Sequence, residues 1–160
     1  MTTILRFVQV LSLGVWVGAA LFVALLLAPG AFATLPAREL AGNVVGMALA
    51  RLHLLGYACG ALYLVATVIA ARGVAGLARS AAICVIAMLL LTAAVQFGVN
   101  ANVADLRAQM RAEFGSVDAT PQGHALRAEF GKLHGVSSAM ELLVLLVGAA
   151  ALYLTIRTTH

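Results

Sequence analysis

The sequence predicts an all-α integral membrane protein, an up-down-up-down four-helix bundle with an amphipathic helical cap between the third and fourth spans. Three observations carry this. Of 160 residues, 63% are hydrophobic and only 10% charged, with a mean hydropathy of +1.04, whereas soluble domains are roughly 25% charged. The apolar residues fall into four runs, each long enough to cross a hydrocarbon layer of about 30 Å. The connections outside the third are short, which makes consecutive spans antiparallel and puts both termini on one side. The length fits a single domain.

The first span, about residues 7–33, follows Arg6 and meets no charge before Arg38. Its tail, APGAFA, imitates a signal-peptide cleavage site, but a secretory core is only about 7 to 15 residues long. A retained membrane helix is therefore expected. The second span covers about residues 44–71, although its charge-free part starts only after His53. The third, about residues 80–102, carries Gln96, Asn100 and Asn102 in its final third. The fourth, about residues 133–156, contains Glu141. Without that part, Leu142 to Ile156 would supply only 15 residues, short of the roughly 20 that a span needs, so the carboxyl group must lie inside the membrane.

Residues 103–132 form the cap. Val103, Leu106, Met110 and Phe114 recur at helical spacing, so the third helix is expected to continue beyond the bilayer with one apolar face. Pro121 and Gly123 break it. RAEFG occurs at Arg111 to Gly115 and again at Arg127 to Gly131, which predicts two similar amphipathic segments lying against each other. Between Asp105 and Lys132, four basic residues offset four acidic ones. The cap is thus charge-balanced, unlike a basic lipid anchor.

The net charge of +4 comes from cations scattered at helix ends. That pattern excludes nucleic acid as a partner and fits a chain whose main partner is the lipid bilayer. The expected location is a bacterial inner membrane. The tight basic turn between Arg72 and Arg79 favours cytoplasmic termini. Cys59 and Cys84 sit within apolar runs and read as small buried hydrophobes. Gly14 with Gly18, Gly42 with Gly46, and Gly56 with Gly60 are spaced for close helix approach, chiefly within the chain and alternatively as a homo-oligomer seam. No phosphate-cradling loop, HExxH or GxSxG is present, so no enzyme activity is indicated.

The functional signal is an asymmetry. Arg51, His53, Gln96, Asn100, His134, Ser138 and Glu141 all fall in the cap-side half of the bundle, whereas the terminal half shows little polar beyond Gln9 and Ser12. RLH at 51–53 is echoed by KLH at 132–134. In each motif cation and histidine lie about 200° apart around a helix, so one faces outward and the other inward. If His53 and His134 both face inward, they can share a transition metal or flank a haem iron, with Arg51, Gln96, Asn100, Ser138 and Glu141 as supporting polar groups. Arg51 and Glu141 can also pair. Two plainer readings stand beside this. A polar cluster can simply fix helix packing, or the chain can be a small proton-linked carrier.

The stretches GAALFVALLLAPGAF, LAGNVVGMALARLHLLG and FGKLHGVSSAMELLVLLVG resemble the transmembrane-protein-205-like family of small four-span proteins. The resemblance implies the fold and a membrane location, with a looser association with metal or drug resistance, and supplies no catalytic residues. Where the family's last motif looks like L-H-x-x-S-x-x-x-N, this chain has Glu141 in place of the asparagine. A more distant likeness to copper-resistance-type and porphyrin-handling membrane bundles is what the metal or haem reading draws on by analogy.

Overall fold

The computed structural model describes residues 2–157. Four long helices hold most of them: α1 (Thr3–Thr34), α2 (Arg38–Ala71), α3 (Ser80–Phe114) and α4 (Ala125–Arg157). No strand occurs among the described residues. Each helix packs on the next in chain order, and α4 closes back onto α1. The result is an all-α four-helix bundle with the helices at the corners of a square. All four are apolar enough to cross a membrane, and Leu25, Leu62, Leu90 and Leu146 point outward from the four helices. Such a surface belongs in lipid.

The interior is built from Leu13 and Trp16 on α1, Cys59 and Tyr63 on α2, Val85 and Met88 on α3, and Val144 and Ala151 on α4. Glycine lets the helices approach at three of these contacts. A Cβ on Gly56 would stand 2.6 Å from the Trp16 ring, one on Gly60 would stand 2.7 Å from Leu89, and one on Gly148 would stand 2.7 Å from Val17. Of the three paired glycine spacings, only Gly56 with Gly60 works on both members in this way. Gly14 and Gly18 have open space around them.

At 32 to 35 residues each helix is about 50 Å long, well beyond the roughly 30 Å of hydrocarbon. The surplus makes the cap. α2 starts at Arg38, six residues before the expected boundary, and α3 runs on to Phe114. The cap is therefore the far end of α3, a loop, and the first turns of α4. The expected amphipathic face is present, with Leu106 and Met110 buried and Asp105 and Gln109 exposed. The two RAEFG copies do different work. In the first, Gly115 takes a φ of 81° and ends α3, and Phe114 meets His124 edge-on. In the second, Phe130 lies beneath the Arg107 guanidinium and Gly131 sits inside α4.

Two helices contain a wide turn. In α1 it spans Val23–Leu27, and the Ala28 N–H donates back to the Val23 carbonyl. Pro29 follows directly, and its ring would collide with the carbonyl four residues earlier in a regular helix, so the loosened turn makes room for it. In α3 it spans Ala94–Val99, with Asn100 N–H donating to the Val95 carbonyl. This second turn carries Gln96.

Glu39, in the first turn of α2 and ahead of the charge-free run, fastens the cap. Its carboxylate accepts from Arg111 Nε and from the Val117 N–H, and its own backbone N–H donates to Asp118. The Arg111 hydrogen bond, supported by the Val117 N–H, holds the Glu39 carboxyl below the usual carboxylate range. A depressed carboxylate pKa contributes stability above the ordinary value, and this is lost as pH falls through the lowered one. Hydrogen-exchange protection across residues 103–130, measured relative to the intrinsic rate at each pH, should therefore fall on acidification below the ordinary carboxylate range. Glu39→Gln should exchange quickly at neutral pH already and flatten the pH response. Separately, Gly56→Ala should cost about 1–3 kcal/mol by forcing a methyl group into the indole, read as a lower Tm in detergent. Gly14→Ala, which meets nothing, should be neutral or slightly stabilising.

Candidate functional site

α2, α3 and α4 each contribute one side chain to a buried polar triad. His53 on α2 is 2% exposed. Its Nδ1 lies 2.6 Å from Gln96 Oε1 on the wide turn of α3, and its Nε2 lies 2.6 Å from Glu141 Oε1 on α4. Both ring nitrogens thus face oxygen acceptors. Each of the two contacts is at hydrogen-bonding distance, and the ring tautomer sets which nitrogen donates. An ionisable pair in this arrangement satisfies itself inside the bilayer without exposing net charge to lipid.

Glu141 also opens onto a cavity of about 700 Å³. The cavity lies in the cap-side half, between the upper part of α1 and α4, with α2 behind it. Beyond Phe22, α1 leans on α2, while its main contact with α4 falls before that point. The α1–α4 seam consequently parts toward the cap, and Ala24, Phe32 and Leu142 line the cavity while remaining exposed. The deeper walls are apolar, with Ala20, Val23 and Leu145. The middle carries Asn100, Ser137, Ser138 and Glu141, with Ser137 Oγ donating to Asn100 Oδ1 at 3.4 Å. The rim, at cap level, carries Arg38, Arg107 and Arg127 with Glu39 and Asp118.

The residues singled out from the sequence divide three ways. Asn100, His134, Ser138 and Glu141 line the cavity, and His53 and Gln96 stand behind Glu141. Arg51 is turned outward and exposed. The Arg51–Glu141 pair is therefore replaced by a His53–Glu141 pair, because Arg51 and His53 project from opposite sides of α2.

The two histidines are engaged separately. Both His53 nitrogens are already occupied, and His134 is exposed and stacked on Phe130 of its own helix, centroids 6.0 Å apart. Among the described residues, no three His, Cys, Asp or Glu side chains are grouped to hold a metal ion. The expected metal or haem arrangement through His53 and His134 is not assembled.

Two features escaped the sequence reading. Arg107 reads as one helix-end cation among several, yet its Nε is buried without a hydrogen-bond partner. At the terminal end, Gln9 Nε2 donates to Thr67 Oγ1 at 2.7 Å, and the Tyr63 hydroxyl and Thr155 Oγ1 lie 2.8 Å apart. Arg6 caps the Thr155 and Ile156 carbonyls at 2.7 and 3.1 Å. Threonine and tyrosine in apolar runs gave no sign of this second polar layer, because each also satisfies itself on its own helix or packs as a hydrophobe.

The architecture and its buried polar elements define a four-span membrane protein with a capped, laterally open cavity. A family model described as a domain of unknown function, DUF4149, matches residues 11–112, and the chain belongs to that family. The matched stretch includes His53, Gln96 and Arg107 and stops before α4. The transmembrane-protein-205-like assignment is not confirmed by this match. No curated protein matches the chain, and no solved structure does.

Removing one partner from the triad should be costly. Glu141→Ala leaves the His53 Nε2 unsatisfied and should lower stability by about 2 kcal/mol. Glu141→Gln keeps a hydrogen-bonding partner and should lose less. Thermal melts of Glu141→Ala, of His53→Ala and of the double variant should give a non-additive cycle.

Proposed function

We propose that this protein binds a small amphiphile taken from the surrounding bilayer, in the cavity between α1 and α4. The observation that carries the reading is the placement of a 700 Å³ cavity where these two helices part, apolar below and polar at the cap. Ligand cavities are typically about 300–1,000 Å³, mostly apolar, with a few placed polar groups. Asn100, Ser138 and Glu141 are such groups. The His53–Glu141 pair acts here as a wall element whose carboxylate accepts a hydrogen bond from the ligand's polar end. No metal is required.

We further place the protein in a bacterial inner membrane with cytoplasmic termini. Raw counts of Lys and Arg slightly favour the cap side, but Arg72 and Arg79 sit in a tight turn that hugs the bilayer while the cap cations are dispersed in a folded segment, and this supports cytoplasmic termini. Labelling of a single cysteine introduced at Gln122 by a membrane-impermeant maleimide on intact cells should then succeed.

The binding reading is tested with a neutral probe, a fluorescent NBD-labelled diacylglycerol, added to the protein in maltoside micelles. Saturable binding is expected. Gly46→Leu should abolish it while leaving the Tm near that of the parent, since Gly46 lines the cavity and a Cβ there meets nothing within 4 Å. Non-saturable partitioning, identical in parent and variant, would leave only a polar cluster that fixes helix packing.

A further inference from the structure

The rim of the cavity is not electrically even-handed. Its acids are all engaged: Glu39 with Arg111 and the Val117 N–H, Asp118 with the Glu39 N–H, and Glu141 with His53. The guanidinium of Arg107 forms no ion pair among the described residues, and its Nε is buried without a partner. Its nearest support is a cation–π contact, with Cζ 5.9 Å from the Phe130 centroid. Arg127 uses Nη1 on the Thr120 carbonyl, which anchors its side chain at the same rim and cancels no charge. The rim therefore offers a guanidinium without a direct ion pair among the described residues, on which Glu39 and Asp118 act only at longer range.

The local build favours holding Arg107 in place. It leaves α3 seven residues beyond Asn100, at the level where charge-free helix gives way to cap. Gly42 on α2 leaves the space its guanidinium fills, since a Cβ on Gly42 would come to 2.5 Å of Arg107 Nη2. Arg107 lines the cavity without an ion pair, and oxyanions are the ligands that engage a guanidinium best, through short charge-assisted hydrogen bonds. Below the rim and the polar band of Asn100, Ser138 and Glu141, the walls are apolar and open to lipid between α1 and α4.

The geometry points to an acidic phospholipid as the occupant, its phosphate on Arg107 at the rim and its acyl chains running down past Val23 and Leu145 into the α1–α4 opening. This rests on the amphiphile-binding reading above and names its ligand class. A free phosphate would use the rim and leave the apolar walls empty, whereas a neutral lipid would leave Arg107 unsatisfied. Only a phosphate carrying chains uses both.

The test titrates the protein in maltoside micelles with dioleoyl phosphatidic acid, dioleoyl phosphatidylcholine and dioleoylglycerol, reading lipid adducts by native mass spectrometry. Phosphatidic acid should bind about tenfold tighter than the other two. Arg107→Gln should remove that preference, bringing phosphatidic acid down to the affinity of the other two lipids. Gly42→Ala, which only displaces the guanidinium, should do the same with a Tm near the parent's, so the result does not depend on how well Arg107→Gln folds. Equal affinity for all three lipids, with saturable binding intact, would overturn the inference and spare the amphiphile reading. Absence of saturable binding by any of them would overturn both. Millimolar inorganic phosphate that displaces phosphatidic acid completely would also overturn it, showing a site that reads the anion without its chains.

Discussion

A carboxyl group held at bilayer depth has to find a partner, and in this chain that requirement ties three helices together. Glu141 cannot be avoided by the fourth span, since the apolar residues after it are too few to cross alone. It meets His53 across the bundle, and His53 in turn fixes Gln96. α2, α3 and α4 are thus registered against one another by two short hydrogen bonds rather than by apolar contact alone, which in lipid carries little directional information. α1 has no member in the triad. Its grip on α2 comes from Trp16 lying against Gly56, and it is the helix free to lean away from α4.

The cavity follows from that division. Three helices are pinned at the level of Glu141 while the fourth is pinned lower down, so the gap opens on the cap side and not at the termini, where Arg6 holds the end of α4. The cap then closes the top by a different kind of force. Glu39, Arg111 and Asp118 form a solvent-facing network sensitive to screening and acid, while Leu106 and Met110 provide its apolar base. Packing is thus apolar and close below, and above it the cap is held by a lighter electrostatic clasp.

Much of this was legible in residue order. Four charge-free runs and short connections predict the bundle because bilayer thickness leaves a spanning chain few alternatives. The inward position of His53 follows from its 200° offset from Arg51. What could not be read was which inward groups would meet. Spacing places His53 and His134 at the same end of the bundle, but the identity of the neighbour across the gap depends on helix rotation, and rotation is set by Gly56, Gly60 and Gly148 together with two irregular turns. His53 accordingly finds Glu141, while His134 stays on the outer wall against Phe130. Arg107 was hidden for another reason. Its sequence neighbours look like an ordinary solvated helix face, and only the fold covers it with α2 and Phe130.

The wide turn at Ala94–Val99 has a consequence for how this chain can vary. A helix advances about 100° per residue, so the angular setting of everything after Val99 relative to everything before Ala94 depends on that one loosened turn. Deleting a residue there would restore regular helical hydrogen bonding and leave Leu106, Met110 and Arg107 close to their angular places, because the wide turn already fits one extra residue into the rotation of a regular segment; what would be lost is the bulge that carries Gln96. The bilayer half and the cap half of α3 thus keep a common phase across a stretch of uncharged backbone that holds one residue more than a regular helix would.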